Sequence, residues 1–155
     1  MHVPQVVGSV TDAAHSEWIE LVDLKWGVSR PNSGPYGSTG SGTPNFTNVV
    51  VSKQIDTATP ALFILSCNGR TMNEIVIEAV RTSGDRHTEC RYTFSKSSVA
   101  GVKHRVEGSG HEAVLYEDVE VRFAQIKVEY TALDATGAPR ATTQAAWSVE
   151  ENRSV

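Results

Sequence analysis

The sequence predicts an all-β fold, a compact β-barrel or sandwich of two sheets with one short α-helix. Three observations carry that prediction. Many short segments alternate apolar with polar residues at period two, turn-rich stretches separate them, and a single segment carries helix punctuation.

In chain order, EWIELVDLKWGVS (17–29) puts Trp18, Val22, Leu24, Trp26 and Val28 on one parity. Its aromatic and β-branched content and the break at Gly27 favour strand over helix. RPNSGPYGSTGSGTPN (30–45) is too rich in Gly, Ser and Pro to bury a core. It is a long loop, and loops of this length usually serve a function. FTNVVVSKQI (46–55) resumes as a strand. TATPALFILSCNGR then carries the helix, with Thr59 as N-cap, Pro60 at the first helical position and Asn68-Gly69 as its stop. The consecutive Leu62, Phe63, Ile64 and Leu65 predict a helix covered on most sides.

EIVIEAVRT (74–82), HTECRYTFSKSSV (87–99) and AAWSVEEN (145–152) are strands. Turns at SGDR (83–86) and DATGAP (134–139) and a charged loop, GVKHRVEGSGHEA (101–113), separate the later elements. EDVEVRFAQIKVEYTALDATG (117–137) is a strand with a slip: Val119, Val121 and Phe123 alternate, and then Ile126, Val128 and Tyr130 follow on the opposite parity. Such a slip sends the second apolar set to the other face. A barrel corner, where one strand serves two sheets, accounts for it. So does burial of both faces, one of them against another subunit. Ile75, Ile77 and Ala79 facing one way with Val76 and Val80 facing the other favour a neighbour.

The chain has 155 residues and 16.8 kDa, enough to bury roughly 70% of its unfolded surface as one domain over 1–155. Net charge of -4 and a pI near 5.7 supply no basic stripe for nucleic acid. No stretch has the apolar length to span a membrane, and MHVPQVVGSV has neither the basic region nor the apolar core of a secretory signal. A cytosolic product is expected, with Cys67 and Cys90 most simply two buried thiols.

The usual signatures of chemistry are missing. His104 and His111 share a loop with Glu107 and Glu112, but their spacing fits no common zinc pattern. Cys90 follows His87 and Glu89, which a strand turns away from it. GSTGSG (37–42) lacks the lysine and the strand-to-helix context of a phosphate cradle, and no GxSxG elbow occurs. Trp18, Trp26 and Trp147 could form a ligand shelf, although core or interface roles suit strand tryptophans better. No enzyme activity, metal or cofactor is expected.

Three segments together resemble one family. GSVTDAAHSEWIELVDLKWGVSR carries Gly8, Thr11, Asp12, His15, Trp18, Ile19, Trp26, Gly27 and Ser29. VSKQIDTATPALFILSCNGR carries Lys53, Asp56, Thr59, Pro60 and Leu62, then Cys67 and Gly69. VEVRFAQIKVEYTALDATG carries Phe123, Ile126 and Tyr130, with a terminal strand at Trp147. The order and spacing from Gly8 onward resemble the haemolysin-coregulated protein (Hcp) family, tube subunits of bacterial type VI secretion systems.

The resemblance implies a non-enzymatic structural subunit: a homohexameric ring, rings stacked into a hollow tube, a surrounding contractile sheath and a VgrG-type spike at the tip. It also implies export through that machine without a signal peptide, secreted effectors held in the lumen, and neither nucleic-acid binding nor membrane insertion. On that footing Ser9, Trp26, Arg30, Tyr36 and Pro44 are candidate ring or stacking contacts, and Asp56, Thr59 and Pro60 build the start of the helix. Two features depart from the family pattern. Only MHVPQVV precedes Gly8, with Pro4 inside it, which predicts a shortened or edge first strand; and Ser9 stands where members often carry an acidic residue. The alternatives are a tail-tube protein of a phage-like contractile particle, a monomeric ligand-binding β-sandwich using the tryptophans, and, most remotely, a small hydrolase.

Overall fold

A computed structural model of the chain describes residues 1–31, 42–81 and 87–155. Its elements are β1 Asp23–Lys25, β2 Val28–Ser29, β3 Asn45–Phe46, β4 Val49–Gln54, α1 Thr59–Asn68, β5 Thr71–Arg81, β6 His87–Glu107, β7 Val114–Arg122, β8 Gln125–Leu133, β9 Pro139–Ser148 and β10 Arg153–Ser154. A 3-10 turn, Gly110–Glu112, joins β6 to β7. Among the described residues the fold is all-β with one α-helix. The large sheet runs β1-β4-β7-β6-β8-β9-β10 with β5 on the other side of β6, and β2-β3 form a separate ribbon.

The phase slip resolves into a corner. β7 and β8 are two strands lying end to end along the single long strand β6, with Arg122 opposite Ser98 and Gln125 opposite Ser95. The register is therefore kept across the gap, since three residues on each side span it. What changes is the inward face, and it changes on both strands together. On β7, Val119 and Val121 are buried, and on β8 it is Ile126; on β6, Phe94 is buried before the corner and Ser97 and Val99 after it. Lys96 sits at φ 48° at the bend, a left-handed conformation uncommon for a residue with a side chain. Beyond the corner the outer partners differ, β4 on β7 and β9 on β8.

Burial of both faces on β5 also arises within the one chain. Ile75, Val76 and Ile77 are all buried, and Val76 exchanges backbone hydrogen bonds with His2 (2.7 and 3.1 Å). Ile75, Val76 and Ile77 are thus covered by the N-terminal segment and the barrel interior, whereas Ala79 is exposed and Val80 half-buried. That segment makes only this isolated bridge to the sheet, yet it sends Met1, Val3 and Val6 into the core.

Other boundaries differ from expectation for local reasons. Residues 17–29 are strand only at β1 and β2, because backbone turns close His15 onto Asp12 and Trp18 onto His15. Ile19 then pairs with Met1 and becomes core, while Val22 and Val28 on the expected inner parity are exposed. The charged stretch 101–107 continues β6, because β7 supplies a full ladder for it. β9 begins at Pro139, inside the expected turn, and gives way at Val149 to a short turn before β10. The 83–86 turn and most of the 30–45 loop lie outside the described residues.

The helix ends as expected: Gly69 adopts φ 61° and its N–H donates to Leu65 O (3.1 Å). Its start and surroundings are corrected. Ala58 is the N-cap and Thr59 the first helical residue, with its hydroxyl spent elsewhere. One side packs on the barrel through Leu62, whereas Phe63 and Ile64 are exposed. Cys67 and Cys90 are free thiols, as expected, but Cys67 is exposed and Cys90 only partly buried, where both were expected to be buried.

Candidate functional site: a buried ion row and the apolar row beside it

Three central strands position the site. In β4, β7 and β6, register places Val49, Val121 and Val99 in one row, then Val51, Val119 and Val102, then Lys53, Glu117 and His104. Side chains two apart share a face, and on β6 a bulge between Val99 and Gly101 takes up one extra residue, so this face runs from hydrocarbon core directly into a row of charge.

Lys53 and Glu117 are both 0% exposed. Lys53 Nζ donates to Glu117 Oε1, Asp56 Oδ1 and Gln54 O, each at 2.7 Å, with Thr59 Oγ1 at 3.5 Å. Thr59 Oγ1 donates to the same Glu117 oxygen at 2.7 Å and accepts the Asp56 N–H at 3.2 Å. Asp56 Oδ1 also takes the Ala58 N–H (2.8 Å), and its Oδ2 takes Ser9 Oγ (3.2 Å). The predicted helix-start residues Asp56 and Thr59 are thus brought together around a lysine and a glutamate from neighbouring strands. Pro60 is in the first helical turn and exposed.

Glu117 Oε2 is buried and accepts no hydrogen bond. His104 Nε2 lies 3.3 Å from it, at ion-pair distance. Lys53 holds oxygen at every short contact, so its ammonium is a structural cation. A buried pair of this kind adds little net stability, but removing one member strands the other.

One row further out, Ile55, Leu115 and Val106 follow on the same face: Ile55 N–H donates to Leu115 O (3.1 Å) and Val106 stands opposite Leu115. All three are exposed, Leu115 at 52% and Val106 at 59%.

The remaining candidates are scattered. Trp26 is half-buried on the core, edge-on to Tyr92 (5.7 Å between centroids) and Phe94 (6.5 Å). Arg30 is exposed, its Nε donating to Gly42 O at 2.7 Å. Pro44 is half-buried ahead of β3, and Tyr36 lies outside the described residues. Trp147 packs on the core, whereas Trp18 stands against His15 at 4.7 Å. The three tryptophans share no stacking contact.

A cleft of about 490 Å³ is lined by Asp12, His15, Trp18 and Glu78 among others. Glu78 Oε2 receives His15 Nε2 (2.8 Å) and Thr88 Oγ1 (2.7 Å), with Arg91 Nη1 3.0 Å from Oε1. Burial alone would raise this carboxyl, but those two hydrogen bonds and the Arg91 charge hold it below the usual range. Among the described residues no group of three or more His, Cys, Asp or Glu is placed to hold a metal, and His104 turns to Glu117.

Missing from the sequence reading was the ion row. A signal was present: Lys53 continues the parity of Val49 and Val51, and Glu117 that of Val119 and Val121. Charged residues on an inward parity, each on a neighbouring strand, point to a buried pair.

The geometry is that of an all-β protein whose charged centre is internal and structural, with an apolar strip left at its surface. The sequence model of the family described as "Type VI secretion system effector, Hcp" matches residues 1–130, and the chain belongs to that family. Solved structures agree in fold. One described as "Structure of a type six secretion system protein" superposes with a TM-score of 0.91 at 22% identity, covering 99% of this chain and 96% of that one. Hcp1 from Salmonella typhimurium gives 0.74 at 23% identity over 97% and 93%. A type VI secretion system effector from Yersinia pestis gives 0.75 at 15% identity over 94% and 95%. No curated protein matches the chain. Among the described residues no helix is long and apolar enough to cross a membrane.

Proposed function

We propose that this chain is a non-enzymatic tube subunit of a type VI secretion system, a single domain that closes into homohexameric rings. The rings stack into a hollow tube inside a contractile sheath and behind a VgrG-type spike. The tube is made in the cytoplasm and exported by the machine, with small effectors held in its lumen. Family membership supports the system, and the apolar surface supports the assembly. Ile55, Leu115 and Val106 form a continuous exposed strip in a subunit whose core is already complete, and Phe63 and Ile64 add a second exposed apolar pair on α1. Surface strips of this kind mark sites of association, and head-to-tail contacts that close give rings in which each subunit hides its neighbour's exposed face. Ser9, Trp26, Arg30, Tyr36 and Pro44 remain candidates for contacts between or within rings on this reading, with Trp26 also serving its own core.

The function is tested in the native host by following this chain in culture supernatant with the sheath intact and with the sheath gene deleted. Export that depends on the sheath is expected; equal release from both strains overturns the proposal.

A further inference from the structure

We propose that the outer stripe of α1 is the seat for the Ile55–Leu115–Val106 strip of a second copy of this chain, so that two unlike apolar patches form one head-to-tail contact. The pairing rests on the ring proposed above and specifies its contact.

α1 is apolar on two sides. Ala58, Leu62 and Leu65 turn to the barrel. Pro60, Phe63, Ile64 and Cys67 follow the i, i+3, i+4, i+7 spacing of a single helix face, and all four are exposed. No charged residue occurs from Thr59 to Asn68. A helix apolar all round is normally covered all round, yet among the described residues nothing covers this stripe. Beside it a groove of about 440 Å³ runs between α1 and the N-terminal segment, lined by Pro4, Val6, Ile64, Leu65 and Arg70 among others.

Complementarity selects a second copy as the occupant. The strip is a row of uncharged, exposed side chains on a different part of the same chain, and two unlike patches that fit each other are what a closed head-to-tail assembly requires. Charge follows the same pairing. Arg70, just past the end of α1, is exposed and donates only to the Gln5 amide oxygen (2.9 Å). Glu112 is exposed in the 3-10 turn at the tip of the β6–β7 arm, which carries Val106 and Leu115. Among the described residues neither forms an ion pair. The apolar patches meet at the centre of the contact, and Arg70 and Glu112 are its opposite rim charges, the kind that fix partner and register.

Cys67 is a native thiol on the stripe, and the test uses it. Leu115→Cys adds a thiol to the strip, and Lys127→Cys adds one at an exposed position on β8. Light scattering first establishes the native mass of the wild type. Under mild oxidation Leu115→Cys is expected to give covalently linked subunits, with Cys67 in the linked peptide; adding Cys67→Ser abolishes them, and Lys127→Cys gives none. A second arm needs no added thiol. Phe63→Gln with Ile64→Gln removes the stripe, and Leu115→Gln with Val106→Thr removes the strip. Each is expected to run as the 16.8 kDa subunit, whereas their mixture gives pairs of about twice that mass and nothing larger, because one intact half remains on each chain. An assembled wild type whose strip variant does not link through Cys67, or which links Cys67 to Cys67 instead, overturns the pairing and leaves the ring standing. A monomeric wild type overturns both.

Discussion

Replacing Lys53 with Met tests the ion row most severely. The thioether fills much the same volume but removes all three 2.7 Å donations from Nζ. Asp56 keeps the Ala58 N–H and Ser9 Oγ and is near the surface, so it can turn to water. Glu117 cannot: it is fully buried, and after the change Oε1 retains only the Thr59 hydroxyl while Oε2 still lacks a donor. Breaking a buried pair this way costs about 3–5 kcal/mol, a large share of the 5–15 kcal/mol typical of a domain. For a chain of this length that corresponds to a fall in Tm of about 6–20 °C. Equilibrium unfolding in urea measures it directly. Pairing Lys53→Met with Glu117→Leu removes the stranded charge, so the double variant is expected to regain part of the loss. A single-variant loss below about 1 kcal/mol, the size of a surface pair, refutes the buried row.

Three further predictions follow from separate contacts. A Cβ on Gly8 would sit 2.1 Å from the Trp18 carbonyl oxygen, which is backbone and cannot swing away; Gly8→Ala is expected to lower stability by about 1–3 kcal/mol or more, and an unchanged melting curve contradicts that packing. The Glu78 carboxyl is held below its ordinary value of 4.5, against burial, by His15, Thr88 and Arg91. A depressed acid contributes stability that is present above its unfolded value and lost as the pH falls through the folded one, so the advantage of the wild type over Glu78→Gln should shrink below about pH 4; a gap that widens in acid is the contrary result. Leu115→Gln with Val106→Thr changes two exposed side chains, so subunit stability should stay within about 0.5 kcal/mol while the native mass falls; an unchanged mass removes this strip from the interface.

The fold was legible wherever apolar periodicity was strong. The corner at 123–124 was visible as a parity slip between Val121 and Ile126, because alternation in a half-buried strand records which side is inside. Its ambiguity, corner or subunit contact, could not be resolved from one strand; the simultaneous flip on β6 between Phe94 and Val99 needs the pairing. β5 was ambiguous for a related reason. Its three consecutive apolar residues did demand burial on both faces, but pattern alone does not say whether the cover comes from the same chain. The strand after 100 was missed because Lys103, His104, Arg105 and Glu107 look solvated; a long hairpin arm tolerates Lys103, Arg105 and Glu107 on its outer face, while His104 turns to Glu117.

The candidate site was legible only at one end. Asp56, Thr59 and Pro60 were visible as helix punctuation, and propensity assigned Thr59 to the cap because its hydroxyl commonly serves there. In the fold that hydroxyl is drawn to Glu117, a partner 58 residues away in sequence, and Asp56 takes the Ala58 N–H instead. Local rules have no access to such a competitor. The exposure of Phe63 and Ile64 was hidden likewise, since a run of apolar residues does not state whether its cover is the same chain or another copy.

The central claim, that this chain closes into a ring, is tested most directly by the native mass of the purified protein, by light scattering behind size exclusion. The account predicts a particle of about six times the 16.8 kDa subunit. A clean 16.8 kDa monomer at micromolar concentration contradicts it.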